Sequence, residues 1–435
     1  MQVDFAFGKS GISLTLPSGF DYRLLEARSA APLPDWQASL NDALDSPVAG
    51  PALSALASGR RTAAISVCDI TRPAPNRLVL PAVLARLESA GIPRSGITIL
   101  IATGLHRPAT DDEIREIVGP TIAAEYRVEN HYARNLGDHR HLGETESGTP
   151  VYIDERFVAA DVRITLGFIE PHLMLGYSGG RKLVAPGLAA QETIKVLHSP
   201  RFMRDARTHE GSIAGNPLHR ELLAIAGMAG HQFIVDVALT RKREIAGIFA
   251  GEPVAAHRAG VDFVSQVMLE RLDAPVDLVV TTAAGYPLDL TFYQAVKGLT
   301  AAQHIVRPGG RILLLAACDE GPGADEFRAM LRTTAGASEF LDSIAATPVI
   351  VDQWQLEKLA MVTTRADLYF YVPGLPADYY PSLWGRAYET AERALAAALE
   401  GLPPGARIAV IPEGPYVLAK VDENLDAHME KGVMV

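Results

Sequence analysis

The feature that most constrains the fold is an alternation of short apolar runs with helical patterns. Thr62 to Cys68 and Ile97 to Ala102 are apolar runs of strand length, and the segment between them, Asn76 to Ala90, carries apolar residues at helical spacing. Strands that alternate with helices predict an α/β fold with a mostly parallel sheet. In open sheets of this class, ligands bind beyond the carboxyl ends of the strands. The residues that follow each apolar run are therefore the first candidates for a functional site.

The length of the chain predicts two domains, because 435 residues exceed what one hydrophobic core commonly organises. The strand–helix alternation restarts at Val276, after Leu272-Asp273-Ala274-Pro275, and we place the domain boundary there. We therefore expect an N-terminal α/β domain (residues 1–272) and a C-terminal α/β domain (residues 273–435), with an active-site cleft between them. Whether the last strand, Arg407 to Ile411, returns to the N-terminal domain stays open.

Several local signals predict individual elements. Val3 to Pro17 alternates around a glycine-containing turn and predicts a β-hairpin. Thr110 followed by Glu113 predicts a capping box at the start of a helix, and Asn216 followed by Pro217 predicts another helix start. Gln232 to Leu239 predicts a strand, and nothing in its sequence indicates a function.

Composition narrows the classes of partner. The chain is 48% hydrophobic and 21% charged, and no apolar run approaches the roughly 20 residues that a membrane span needs. The first residues show no basic segment leading into an apolar one, so we expect a cytoplasmic protein that does not bind membranes. A formal net charge of −11 argues against nucleic acid as a partner. Cys68 and Cys318 each end an apolar run, which predicts buried thiols rather than a disulfide framework.

The turn Ser178-Gly179-Gly180-Arg181-Lys182 is the strongest candidate for a functional site. Its glycines would let the backbone approach a ligand closely, with N–H groups forming an anion-binding nest beside two cations. The spacing is not that of the phosphate loop of nucleoside triphosphatases, because Leu183 stands where that loop has Ser or Thr. No Gly-x-Gly-x-x-Gly pattern follows an early strand, so a NAD-type dehydrogenase is weakly supported.

Four motifs carry a resemblance that runs through most of the chain. They are, in order, Asp69-Ile70-Thr71-Arg72-Pro73, Ala102-Thr103-Gly104-Leu105-His106-Arg107-Pro108, the stretch Glu170 to Lys182 with the later His198, and Tyr293-Gln294-Ala295-Val296-Lys297-Gly298. Together they resemble the nickel-pincer nucleotide-dependent lactate racemase family of α-hydroxyacid racemases and epimerases. The resemblance implies an isomerase that inverts the C2 carbon of an α-hydroxyacid by reversible hydride transfer.

The resemblance also implies a cofactor and the residues that hold it. The expected cofactor is the nickel-pincer nucleotide, pyridinium-3,5-bisthiocarboxylic acid mononucleotide, linked covalently to Lys182 in the N-terminal domain. His198 is the expected nickel ligand, since imidazole suits nickel. Further cofactor contacts are expected from Asp69, Ser178, Gly179 and Gly180. The resemblance implies that the enzymes of cofactor synthesis are partners during maturation.

Two histidines and a set of polar side chains are the expected catalytic and substrate-binding residues. His106 and His172 match the acid–base pair, because a racemase must exchange the hydroxyl proton on either face and imidazole titrates near neutrality. Arg72 and Lys297, the latter from the C-terminal domain, are expected to bind the substrate carboxylate. Other substrate contacts are expected from Tyr293, Gln294 and Trp354.

Three questions stay open at the level of sequence. Leu290-Thr291 stands where polar residues are expected in lactate-specific members, so the side chain of the α-hydroxyacid is not defined. The oligomeric state is not defined either. The remaining alternatives are a protein that binds the nickel-pincer nucleotide without racemase turnover and the weakly supported NAD-type dehydrogenase.

Overall fold

The computed structural model describes residues 1–28 and 30–422, so residues 423–435 of the predicted C-terminal domain lie outside the described part. The strands in that part are β1 (Gln2–Phe5), β2 (Ile12–Thr15), β3 (Asp21–Leu24), β4 (Ala63–Cys68), β5 (Ile97–Ala102), β6 (Arg127–Asn130), β7 (His139–Glu144), β8 (Pro150–Asp154), β9 (Val162–Phe168), β10 (Pro171–His172), β11 (Gly176–Tyr177), β12 (Phe233–Leu239), β13 (Ile245–Gly251), β14 (Leu269–Leu272), β15 (Val276–Thr282), β16 (Val306–Leu315), β17 (Ala366–Tyr371), β18 (Arg386–Ala387), β19 (Arg407–Ile411) and β20 (Leu418–Val421).

The α-helices of the described chain are α1 (Trp36–Asp45), α2 (Leu53–Ala57), α3 (Asn76–Ser89), α4 (Asp111–Val118), α5 (Pro120–Glu125), α6 (Glu155–Val158), α7 (Gln191–Leu197), α8 (Pro200–Met203), α9 (Pro217–Met228), α10 (Pro253–Met268), α11 (Phe292–Ala302), α12 (Asp325–Thr333), α13 (Ala337–Ser343), α14 (Gln353–Thr363) and α15 (Ala391–Leu399). Both predicted helix starts are confirmed. Thr110 and Glu113 form the reciprocal capping box of α4, and Asn216 caps α9 with Pro217 in its first turn.

The chain divides into two compact units. One unit contains the described residues that follow Arg28 up to Val267, and the other contains Met1–Arg28 and the described residues from Met268 onward. The first unit is built on a six-stranded sheet of order β13-β12-β9-β4-β5-β6, in which only β13 is antiparallel. The second is built on an entirely parallel sheet of order β18-β17-β16-β15-β19-β3. The predicted α/β class with mostly parallel sheets is confirmed.

The N-terminal residues lie with the C-terminal unit, whereas the sequence predicts them in the N-terminal domain. The hairpin β1–β2 forms as predicted, and β3 then pairs in parallel with β19 at the edge of the second sheet. Local periodicity specifies that such a segment is a strand but not which distant strand it joins. The last predicted strand, β19, lies between β15 and β3 in this same sheet.

The strands of both sheets are apolar because both faces of each sheet are covered. Every residue of β4 is buried. In β15, Val279 belongs to one hydrophobic cluster, while Leu278 and Val280 belong to the cluster on the other face. This alternation follows from the two-residue period of a strand, and burial on both faces explains the unbroken apolar runs. Within the described residues, no helix has the length and apolar character needed to cross a membrane.

The close contact of α11 with β15 generates a test of the packing. Gly298 on α11 leaves room only for hydrogen, because a Cβ there would lie 2.3 Å from the Thr282 carbonyl oxygen and 2.9 Å from Leu314 Cδ1. Gly298→Ala should therefore lower the free energy of unfolding by about 1–3 kcal/mol through overpacking. Gly227→Ala on α9 is the matched control, since nothing lies within 4 Å of its Cβ position. It should stabilise the helix by about 1 kcal/mol. Thermal unfolding of both variants checks this, and equal melting temperatures would contradict it.

Candidate functional site

The glycine-rich turn follows β9 at the carboxyl edge of the first sheet. The chain leaves β9 and forms the small antiparallel pair β10–β11. It then enters the 3₁₀ turn Gly180–Leu183, which contains Lys182. Gly179 and Gly180 have φ angles of +84° and +47°, values that side chains with a Cβ rarely adopt. Because β4, β5 and β9 run parallel and side by side, the loops after all three strands emerge at this same edge.

Polar side chains of the turn are used to hold its own backbone. The Ser178 hydroxyl donates to the Phe168 carbonyl at 2.8 Å and accepts from the Glu170 amide at 3.0 Å. Arg181 is buried, and its guanidinium donates to the carbonyl oxygens of Leu175 and Tyr177. Burial lowers the pKa of Arg181 to about 9. The sequence predicts Arg181 beside an anionic ligand, whereas these bonds give its guanidinium an internal role.

A buried carboxyl group contacts the predicted anion-binding nest. Asp236 on β12 is fully buried, and its Oδ2 accepts the Gly180 N–H at 2.8 Å. Burial raises the pKa of Asp236 to about 7, although the Gly180 amide and the Arg181 charge both act to lower it. A side chain of the neighbouring strand therefore accepts the Gly180 N–H, and the role of Gly180 in cofactor binding stays a prediction.

The loops that follow the adjacent strands β4 and β5 carry a group of polar side chains: Asp69, Thr71, Arg72 and His106. Asp69 is 6% exposed, and its Oδ2 lies 2.6 Å from Nδ1 of His106. Its Oδ1 accepts from the Thr71 hydroxyl at 2.6 Å. Burial raises the pKa of Asp69, but the bonds from His106 and Thr71 and the Arg72 charge outweigh it, so the net pKa is lowered. An ionised Asp69 can only accept, so Nδ1 of His106 carries a proton and Nε2 is the proton-accepting atom of neutral His106.

The hydrogen bonds of His172 give the opposite arrangement. Its Nδ1 accepts from the amides of Met174 and Leu175, each at 3.3 Å, within the β10–β11 connection. In the neutral ring, the proton is then on Nε2. His172 is half-buried, whereas 48% of the His106 side chain is exposed. The two predicted acid–base residues therefore differ in the ring nitrogen that carries the proton.

Lys182 and His198 are close enough to influence each other electrostatically. His198 ends α7, and its Nδ1 donates to the Ile194 carbonyl at 2.8 Å, which leaves Nε2 without a proton. Burial lowers the pKa of His198 to about 4, and the Lys182 charge acts in the same direction. Lys182 also affects the pKa of the Cys68 thiol at the end of β4, which burial raises to about 12. A neutral imidazole with this tautomer has the donor that a metal ion requires, beside the predicted cofactor lysine.

The chemistry of these donors fits the implied cofactor. His198 offers one nitrogen donor, and Lys182 offers an amine from the adjoining turn. Within residues 1–28 and 30–422, no group of three or more His, Cys, Asp or Glu side chains is arranged to hold a metal ion.

The remaining candidates lie in the other unit, on α11 and α14. Lys297 Nζ donates to Oε1 of Gln294 at 2.5 Å, one helical turn away. The Tyr293 ring packs edge-on against Phe327, and its backbone carbonyl accepts from Nε2 of Gln355 at 2.8 Å. Trp354, the neighbour of Gln355 on α14, is 7% exposed. The predicted substrate-binding residues of this unit are thus gathered on two helices that pack together.

Sequence reasoning missed Asp236, and one signal could have revealed it. It is the single charged residue in the apolar run Phe233-Ile234-Val235-Asp236-Val237-Ala238-Leu239. A carboxylate in a strand buried on both faces needs a specific partner, because isolated buried charges are costly.

The comparisons with known proteins cover nearly the whole chain. Residues 7–211 match the lactate racemase N-terminal domain, and residues 272–419 match the lactate racemase C-terminal domain. A lactate racemase of Lactiplantibacillus plantarum is 34% identical over 388 residues, which are 88% of this chain and 91% of the relative. A lactate racemase of Thermoanaerobacterium thermosaccharolyticum is 29% identical over 428 residues, which are 96% of this chain and 99% of the relative.

Solved structures share the fold of this chain. The lactate racemase apoprotein of Thermoanaerobacterium thermosaccharolyticum superposes with a TM-score of 0.90 at 29% identity, covering 97% of this chain and all of that one. A protein of Thermotoga maritima superposes with a TM-score of 0.64 at 16% identity, covering 85% of this chain and 96% of that one, and shares the fold. Fold and sequence together define an isomerase of the racemase class. The chain belongs to the lactate racemase family.

The raised pKa of Asp236 predicts a pH dependence of stability. Between about pH 4 and pH 7 the carboxyl is protonated in the folded protein and ionised in the unfolded chain. The folded state then binds more protons, so this group's contribution to stability falls as the pH rises across that range. Asp236→Asn keeps an oxygen acceptor but does not titrate. The melting temperature of the variant minus that of the wild type should increase from pH 4 to pH 7 and level off above it. A difference that is constant with pH would contradict the assignment.

Proposed function

We propose that this chain inverts the C2 carbon of an α-hydroxyacid, with lactate as the first substrate to test. Both relatives compared above are lactate racemases. The observation that carries the proposal is the Asp69–His106 pair, an oriented base at the same sheet edge as the Lys182 turn. In this proposal the nickel-pincer nucleotide is attached to Lys182, and His198 binds nickel through Nε2. When bound, this cofactor supplies an acceptor for the C2 hydrogen as hydride and can return it to either face.

Asp69 and His106 supply the proton chemistry on one face of the substrate. Neutral His106 takes the substrate hydroxyl proton on Nε2, and the resulting imidazolium is stabilised by the Asp69 carboxylate, 2.6 Å from Nδ1. This arrangement matters because the C2 hydrogen can leave as hydride only if the hydroxyl proton is removed. Because Asp69 bonds to His106, the base in this proposal, we assign Asp69 to orientation of His106 rather than to direct cofactor binding.

His172 serves the opposite face. To act as the acid, His172 must enter as the imidazolium, give its Nε2 proton to the C2 oxygen as hydride returns, and be left neutral; in the structure its Nδ1 instead accepts from the amides of Met174 and Leu175. A second proton on His172 would have to displace those two long bonds, so the two histidines are chemically unequal. Arg72, in the loop that carries Asp69, is the proposed ligand of the substrate carboxylate. The substrate-binding roles of Tyr293, Gln294, Lys297 and Trp354 stay predictions.

The covalent attachment is tested by intact mass. Wild-type protein co-expressed with the cofactor-synthesis enzymes should carry an adduct on Lys182, mapped by peptide mass spectrometry, and one nickel per adduct. Lys182→Ala and Lys182→Arg should both lack the adduct, because neither offers a primary amine. Lys195→Ala on α7 is the control and should keep it. An active wild-type protein with the mass of the bare chain would refute the attachment.

The acid–base assignment is tested by replacing each histidine. His106→Ala and His172→Ala should each lower racemisation by about 10²–10⁴-fold in both directions while retaining the adduct, because each turnover uses both residues. His141→Ala is the control, since that exposed ring stacks on Tyr152 and lies outside the proposed site. Racemisation of lactate and of larger α-hydroxyacids is followed by chiral chromatography. Near wild-type turnover in either variant would exclude the two-histidine assignment.

A further inference from the structure

Asp236 combines burial with direct contact to the turn that carries Lys182. It lies on β12, next to β9, and is paired in register with Gly167. Its side chain is fully buried, and its Oδ2 accepts from the Gly180 amide, two residues before Lys182. It lies outside the two ranges matched to the lactate racemase domains, residues 7–211 and 272–419. Neither the sequence motifs nor the proposed acid–base chemistry uses it.

We propose that Asp236 is a positioning residue that holds the Gly179–Lys182 turn in the conformation in which Lys182 is presented for covalent attachment of the cofactor. The part of this inference that concerns attachment of the cofactor to Lys182 rests on the proposed function. Its physical part, that Asp236 fixes the backbone of the turn that carries Lys182, stands on the geometry of the chain alone.

The first support is the fit of the glycines around the carboxyl group. A Cβ at Gly179 would lie 2.6 Å from Asp236 Oδ2, and a Cβ at Gly167 would lie 3.0 Å from Oδ1. These glycines therefore leave space for the carboxyl group between the turn and the sheet. The sequence explains a double glycine by the approach of a ligand, but the structure also requires Gly179 for the approach of Asp236.

The second support is that the turn is fixed on both sides of Lys182. Asp236 holds the Gly180 amide on the N-terminal side, and the Ser66 hydroxyl of β4 donates to the Leu183 carbonyl at 2.8 Å on the C-terminal side. Both anchors are buried residues, and they lie on β12 and β4, the two strands that flank β9. Lys182 lies between these two fixed points, and its backbone N–H donates to the Gly179 carbonyl oxygen. Loss of the Asp236 acceptor would remove the anchor on the N-terminal side of Lys182.

The proximity of charges gives a third support. Both Asp236 and Lys182 act on the pKa of the Cys68 thiol, at the carboxyl end of β4. Asp236 and Lys182 therefore lie near the same strand end, which agrees with the hydrogen bond from the Gly180 amide to Asp236.

The test compares three substitutions of Asp236 with one substitution at the adjacent position of β12. Asp236→Asn keeps an oxygen that can accept from Gly180, while Asp236→Ala and the more space-filling Asp236→Val remove it. Val235→Ala is the matched control, because adjacent strand residues face opposite sides of the sheet and Val235 packs in the hydrophobic core. Val235→Ala should lower the free energy of unfolding without changing the hydrogen bond between Asp236 and the turn.

Two readouts report on Lys182 rather than on activity. The first is the rate at which acetic anhydride modifies Lys182 in the protein without cofactor, measured by peptide mass spectrometry. The second is the fraction of chains that carry the Lys182 adduct after co-expression with the cofactor-synthesis enzymes. An unpaired buried N–H should reduce the population of the intact turn by about tenfold. Asp236→Ala and Asp236→Val should therefore show faster modification and a severalfold lower adduct fraction, and Asp236→Asn should match the wild type in both.

Each outcome decides the proposal. If Asp236→Ala and Asp236→Val are modified and loaded like the wild type, or if Val235→Ala changes both readouts equally, Asp236 has only a structural role and the proposal fails. If neither of these two variants folds, Asp236→Asn still decides, because loss of loading in that variant would contradict the hydrogen-bond role. If the wild type carries no adduct, the proposed cofactor attachment fails, while the modification rates still test the positioning role.

Discussion

The structure of the proposed site depends on the parallel alignment of β4, β5 and β9 in the first sheet. Parallel neighbours must be joined by crossovers, so the loops after all three strands emerge at one edge. That constraint brings Asp69, His106 and the Lys182 turn to the same edge although they are far apart in the chain. Apolar residues on both faces of the sheet fix the register, and the register fixes the positions of the polar residues that follow.

Hydrogen bonds within the site divide its polar residues into those that hold backbone and those that offer chemistry. Ser178 and Arg181 belong to the first group, since their donors reach carbonyl oxygens of their own segment. Asp236 belongs to it as well, through the Gly180 amide. A buried polar group must be satisfied, and a tight turn has many backbone groups that need partners. A motif rich in charge and glycine can therefore be largely self-supporting, with few of its side chains left for a ligand.

The two histidines illustrate how the same residue type acquires different chemistry. His106 obtains its tautomer from Asp69, a partner from the preceding strand end. His172 obtains its tautomer from amides two and three residues away, which donate to its Nδ1. A racemase must treat both faces of its substrate, but nothing requires that the two faces be served by identical groups. The local hydrogen bonds make them unequal.

The sequence by itself determined the α/β class, the N-terminal hairpin, the capping box of α4 and the start of α9, because strand and helix periodicity and capping are encoded within a few residues. It also determined the family resemblance, which rests on short motifs. Only the tertiary structure decided that β3 pairs with β19, that the Arg181 guanidinium donates to carbonyl oxygens, that Asp69 bonds to His106, and that Asp236 accepts from Gly180. The β3–β19, Asp69–His106 and Asp236–Gly180 pairings join residues far apart in the chain, and the energy of such a contact depends on burial and register that no local pattern contains.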